Sequence, residues 1–123
     1  MARLVFCEDE PSIRRLIQAA LRSTTHEVHL TADGAEGLEL IERLRPDAIF
    51  TDLRMPRLDG LELCGEIKAR PHLADIPIVV ITASAQRQDL ETVYACGVTS
   101  VMIKPFSPAD LRAMVDRITS GEG

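Results

Sequence analysis

At 123 residues the chain has the length of one domain, long enough to bury a core and too short for two. A net charge of -5 and an aromatic content of 3% exclude a nonspecific grip on nucleic-acid backbone and a base-stacking surface, so the core must be mostly aliphatic. The longest uncharged run, "IPIVVITASAQ", falls well short of the roughly 20 apolar residues of a membrane span, and "LVFC" runs straight into "EDE" where a signal peptide would continue.

Five short runs punctuate the chain: "LVFC" (4–7), "EVHLT" (27–31), "AIFT" (48–51), "IVVIT" (78–82) and "SVMI" (100–103). Amphipathic stretches separate them, and that alternation is the sign of βαβ units around a parallel sheet. Four runs are nearly continuously apolar, as strands covered on both faces should be. "EVHLT" alternates polar and apolar residues and reads as an edge strand.

After the first run, Pro11 opens a helix whose buried face is Ile13, Leu16, Ile17, Ala20 and Leu21. Asp33 before "GAEGLELIERLR" and Asp59 before "GLELCGEIKAR" each have a Glu three residues on, a variant of the capping box. A fourth helix over about 86–96 is marked only by Leu90, Val93 and Tyr94, with Gly97 ending it. The last begins with Ser107 as cap, Pro108 at the first helical position and Asp110 near the positive end of the dipole, and its buried face is Leu111, Met114, Val115 and Ile118. Residues 1–120 form the domain, and 121–123 are a flexible tail or the start of a linker.

Cys7, Cys64 and Cys96 are odd in number and widely spaced, without a C-x-x-C pair, and read as buried free thiols. His26, His29 and His72 read as surface residues.

In a parallel sheet the residues just after each strand gather along one edge, where open α/β folds bind ligands. Here that set is Glu8 and Asp9, Asp52, Thr82, and Lys104 followed by Pro105. Singly, each has an ordinary structural role available: a helix cap, a strand end, a solvated loop lysine. Together, three carboxylates within a few ångströms repel one another unless a cation sits among them, and an all-oxygen set suits Mg²⁺ better than zinc. Three carboxylates supply roughly -3 and Mg²⁺ with Lys104 roughly +3, so the loaded site admits a phosphoryl dianion that the bare acids reject. Asp52, central in the set, is the best placed nucleophile for an aspartyl phosphate, with Thr82 and Lys104 gripping phosphoryl oxygens.

The pieces "FCEDEPSIRRLI", "IFTDLRMPRLDGLEL", "VVITAS" and "MIKPF", in this order and at strand ends, closely resemble the receiver domain of bacterial two-component response regulators, over essentially the whole chain. The resemblance implies a flavodoxin-like, doubly wound sheet of five parallel strands, order 2-1-3-4-5, with helices on both faces. It implies that Asp52 is the phosphoacceptor, that Glu8, Asp9, Asp52 and the Arg54 backbone carbonyl hold Mg²⁺, and that Thr82 and Lys104 are the switch hydroxyl and the phosphate-contacting lysine. The bond from Lys104 to Pro105 is typically cis in that family. Implied partners are a histidine kinase or phosphotransfer protein and a downstream protein target or output domain, with no direct nucleic acid or membrane contact. The chain would act in the cytoplasm as a monomer or a phosphorylation-dependent dimer, and as no enzyme beyond its own phosphotransfer and autodephosphorylation.

Two positions depart from the family pattern. Val101 stands where an aromatic residue usually rotates inward, which shifts the expected signal to the loop after Thr82, and Glu8 stands where Asp is commoner. Arg54 and Ser84, each two residues beyond a site residue, are expected to flank the path of the hydrolytic water. A haloacid-dehalogenase-like hydrolase would need a second carboxylate where Arg54 stands, and a dinucleotide or flavin binder would need a Gly- or Thr-rich loop in place of "EDEPS". The alternative that survives is a pseudo-receiver, an interaction module on the same fold that works without phosphorylation.

Overall fold

The computed structural model describes residues 1–120, so the expected tail at 121–123 lies outside the described residues. Five strands alternate with five helices: β1 (Arg3–Cys7), α1 (Pro11–Leu21), β2 (Glu27–Thr31), α2 (Gly34–Leu44), β3 (Ala48–Asp52), α3 (Gly60–Lys68), β4 (Ile78–Thr82), α4 (Arg87–Ala95), β5 (Ser100–Ile103) and α5 (Pro108–Thr119). All strand pairs are parallel, in the order β2-β1-β3-β4-β5. Each run foreseen as a strand is one, with β1 starting at Arg3 and β3 running on through Asp52.

Side chains alternate across the pleat, so every central strand feeds two apolar layers. Leu4, Phe6, Phe50, Val79 and Ile81 point to one face and pack with Ile17, Leu21, Leu111 and Val115 of α1 and α5. Val5, Ile49 and Val80 point to the other and meet Ile41, Leu63, Ile67 and Val93 of α2, α3 and α4. Phe6 and Phe50 sit opposite each other in the β1–β3 register and stack with ring centroids 4.5 Å apart. Each such side chain, fully buried, contributes about 1.5–3 kcal/mol of apolar burial.

β2 is an edge, as its alternation suggested, with four of its five residues half-buried. "SVMI", read as covered on both faces, is the opposite edge: Met102 is buried, Val101 half-buried and Ile103 exposed. Its apolar outer positions belong to a strand with only one neighbour.

The helix starts follow their sequence signals. Asp59 with Glu62 and Ser107 with Asp110 each close a full capping box, whereas Asp33 accepts from the Glu36 N–H without a reciprocal bond. α1 begins at Pro11, and neither Glu8 nor Asp9 caps it; its N-cap is Glu10, whose side chain makes no capping bond. α4 spans one residue less at each end than expected and stops at Gly97, whose φ of 88° suits glycine and whose N–H donates to the Tyr94 carbonyl.

Cys7 and Cys64 are buried free thiols, but Cys96 is half-buried. His26 and His29 are half-buried rather than fully at the surface, His26 Nδ1 accepting from the Ala2 N–H and His29 meeting Glu27, whereas His72 is exposed, as expected, and meets Glu42. No described helix is long and apolar enough to cross a membrane.

Candidate functional site

The strand ends bring the expected residues to the edge of the sheet, each by a local device. Glu8 leaves β1 with its N–H bonded to the Thr31 carbonyl of β2, which keeps it in the sheet plane and fully buried. Asp52 and Thr82 are the last residues of β3 and β4, 7% and 5% exposed. Lys104 follows β5, its N–H bonded to the Thr82 carbonyl at 2.8 Å, and its bond to Pro105 is cis.

Lys104 Nζ is the hub. It donates to Asp52 Oδ2 at 2.9 Å and to Glu10 Oε1 at 3.2 Å, and it reaches Glu8 Oε2 at 3.4 Å. Burial works against its charge, but the hydrogen bond to Asp52 and the charges of Glu8 and Asp52 outweigh that and hold its pKa above the ordinary lysine value. Glu8 is pushed up to about 7, first by burial and then by a hydrogen bond and charge from Asp52, against the Glu10 N–H and Lys104. Glu8 Oε1 is buried and, although 3.2 Å from Lys104 Nζ, has no hydrogen-bond partner. One ammonium does not satisfy all the oxygens gathered around it.

Among the described residues, the acids whose oxygens lie within 4.8 Å of one another are Glu8, Glu10 and Asp52. Asp9, the expected second acid, is exposed, as is Glu10, and both line the adjoining cleft of about 650 Å³; of the two it is Glu10 whose carboxylate reaches Lys104. Glu10 was missed because it also reads as the residue before a helical proline; the run "EDE" was the available signal. The donors fit a hard divalent cation: they are all oxygen, they carry excess negative charge, and one buried oxygen is unpartnered.

Asp52, Arg54, Thr82 and Lys104 also line the cleft. Arg54 is exposed on the turn after β3, with its N–H 3.5 Å from Asp52 Oδ1. Gly60 lets that turn fold back, since a Cβ there would stand 2.4 Å from the Asp52 carbonyl oxygen. Arg57 in the same turn has a φ of 67° and reaches Asp33 at the start of α2. Across the cleft, Thr82 Oγ1 accepts from the Ser84 N–H at 3.1 Å, and Ser84 Oγ donates to Asp89 Oδ2 at 2.5 Å. Asp89, a further cleft residue, had no role in the sequence reading beyond its place in the fourth helix. Val101 packs half-buried against the α2–α4 layer.

Residues 4–116 match the response regulator receiver domain family. Response regulator MprA of Mycobacterium sp. (strain KMS) is 34% identical over 125 residues, covering 98% of this chain and 54% of that protein. The chain spans about half the length of the curated relatives it matches. Among solved structures, the chemotaxis response regulator CheY4 of Vibrio cholerae superposes with a TM-score of 0.90 at 29% identity, covering 96% of this chain and 98% of that one. The receiver domain of sensor histidine kinase PA1611 from Pseudomonas aeruginosa PAO1 gives 0.88 at 35% identity, covering 97% and 98%, and that protein has a magnesium ion coordinated in its active site cleft. With the strand order, the acid-and-lysine cluster and this similarity in agreement, the chain belongs to the response regulator receiver domain family.

Proposed function

We propose that Asp52 is the phosphoacceptor of this receiver, taking its phosphoryl group from the phosphohistidine of a histidine kinase or phosphotransfer protein. The observation that carries the reading is the junction of Lys104 with Asp52 and the buried Glu8, at a cleft that Lys104, Asp52 and Thr82 line. In the transfer, an Asp52 carboxylate oxygen attacks phosphorus as the phosphorus–nitrogen bond breaks, leaving an acyl phosphate and a free imidazole. Lys104, already against Asp52 Oδ2, shifts to a phosphoryl oxygen, and the Thr82 hydroxyl turns to another. Water later returns the carboxylate and releases phosphate, and Arg54 and Ser84 flank its approach.

Glu8, Asp9, Asp52 and the Arg54 carbonyl would hold Mg²⁺, directly or through water, with the unpartnered Glu8 Oε1 favouring such a cation. When bound, the ion supplies positive charge that offsets the acids as the phosphoryl group arrives. The domain is a signalling module whose only chemistry is its own phosphorylation and dephosphorylation. Its output passes through the loop after Thr82, since Val101 has no ring to rotate. A cytoplasmic setting and a downstream protein or output domain as target complete the reading.

Incubation with a small acyl phosphate, with and without Mg²⁺, followed by intact mass, tests it. Wild type should gain one phosphoryl group only with the metal, and Asp52→Asn none. No gain in either protein would overturn the assignment and favour a pseudo-receiver.

A further inference from the structure

α4 starts without a capping bond from its own N-cap side chain. In a capping box the carboxylate at the third helical position accepts the N-cap N–H directly, as Glu62 does for Asp59. In α4 the N-cap is Gln86 and the acid in the first turn is Asp89, and between them stands Ser84. Ser84 Oγ accepts from the Gln86 N–H at 3.3 Å and donates to Asp89 Oδ2 at 2.5 Å. The Ser84 N–H in turn donates to Thr82 Oγ1 at 3.1 Å. One residue therefore joins the hydroxyl at the end of β4 to the first turn of α4.

We infer that Ser84 and Asp89 form a latch that keeps the first turn of α4 ordered while the Thr82 hydroxyl faces Ser84, and that frays the turn when the hydroxyl leaves. Phosphorylation would provide the occasion, so this half of the inference rests on the function proposed above. When the hydroxyl rotates toward a phosphoryl oxygen, the Ser84 N–H loses its acceptor. The loop then has no reason to hold Ser84 Oγ under the Gln86 N–H, and the relayed cap opens. α4 suits such a release: its exposed face and single buried residue, Val93, leave little else to anchor its start. Asp89 and Ser84 are positioning residues in this role, acting through their bonds to Thr82, to Gln86 and to each other. With Val101 unable to supply an aromatic rotation, the relay gives the signal a path to α4.

Residue-resolved amide hydrogen exchange by NMR on the whole chain, free and with Mg²⁺ and beryllofluoride as phosphoryl mimic, tests this. In the free protein, Ser84→Ala and Asp89→Ala should raise exchange over 86–90 about fivefold, the scale of a lost helix cap, with α5 unchanged. Ser84→Thr, which keeps the hydroxyl, should match wild type. In wild type, the mimic should raise exchange over 86–90 by a similar factor, and in Ser84→Ala it should add nothing. Equal basal exchange in Ser84→Ala and wild type overturns the latch, as does an undiminished response to the mimic in that variant. A wild type whose Asp52 neighbourhood does not respond to the mimic overturns the phosphoacceptor reading and the switch together, while the basal comparison still decides whether the latch exists.

Discussion

Lys104 Nζ and Asp52 Oδ2 lie 2.9 Å apart with their side chains only 13% and 9% exposed, although 52 residues separate them in sequence. The lysine is the sole cation in contact with the carboxylates of Glu8, Glu10 and Asp52 among the described residues. It neutralises part of a charge cluster that the fold could not otherwise bury.

Removing that cation has a cost in the metal-free protein. Lys104→Met should lose about 3 kcal/mol of stability in urea with chelator present, because the nearly buried Asp52 carboxylate, with the Glu8 carboxyl beside it, is left without its cation. Added Mg²⁺ should recover part of the loss. A variant as stable as wild type in chelator would show that the ion cluster contributes nothing.

Glu8 makes the metal-free stability depend on pH. The folded carboxyl keeps its proton up to about pH 7, while in the unfolded chain it is released near 4.5. Between those values the folded state binds more protons, so stability falls as pH rises, the contribution being complete below 4.5 and lost above about 7. Relative to Glu8→Gln, chelated wild type should therefore lose stability from pH 5 to pH 8, by about 3 kcal/mol at most. Parallel curves for the two proteins would contradict this.

The two acids after Glu8 should differ in their effect on the metal. Glu10 is 55% exposed and already bonded to Lys104, so Glu10→Gln should weaken Mg²⁺ binding by less than about threefold. Asp9 lines the same cleft without a bond to Lys104, and Asp9→Asn should weaken it by about tenfold or more. Titration with Mg²⁺, followed by NMR shifts around Asp52, separates them; the reverse order would move Glu10 into the metal shell.

Gly60 supports the site through space it leaves empty. An alanine Cβ would meet the Asp52 carbonyl oxygen at 2.4 Å and Leu53 Cα at 2.9 Å, both backbone atoms. Gly60→Ala should cost about 1–3 kcal/mol and slow phosphoryl uptake, since relief of the clash displaces Asp52. Normal uptake together with normal stability would show that the turn yields freely.

Two thiols should be inert. Burial, then the nearby Asp33 and Glu36 charges, push Cys7 up to about 12, and burial pushes Cys64 up to about 11. At neutral pH their thiolate populations fall roughly a thousandfold and a hundredfold below an ordinary thiol. Iodoacetamide should label native protein at half-buried Cys96, with Cys7 and Cys64 reacting only on unfolding, as peptide mapping would read.

What the sequence disclosed divides by range. Strands such as "IVVIT" were legible because a strand buried on both faces leaves an unbroken apolar run, and its last residue marks the sheet edge. The amino-acid sequence alone therefore groups Asp52, Thr82 and Lys104 at that edge. That the Glu10 carboxylate would reach Lys104 was not legible, because it depends on how the chain turns between Cys7 and Pro11. The left-handed backbone of Arg57 was equally hidden, since glycine or asparagine usually signals that conformation and arginine does not. The Ser84 relay escaped notice because its three bonds span residues that each look like ordinary loop polarity.

The two apolar layers described above share the strands but not their side chains: Phe50 serves one and Ile49 the other. Packing defects placed one on each side, such as Leu21→Ala and Ile67→Ala, should then add with little coupling energy, as distant sites do. The chain in this sense carries two half-cores, joined along one sheet, whose packing defects are felt separately. Asp52 and Thr82 sit on the seam, so a strain applied there is shared by both halves, whereas a change deep in either half is largely insulated from the other.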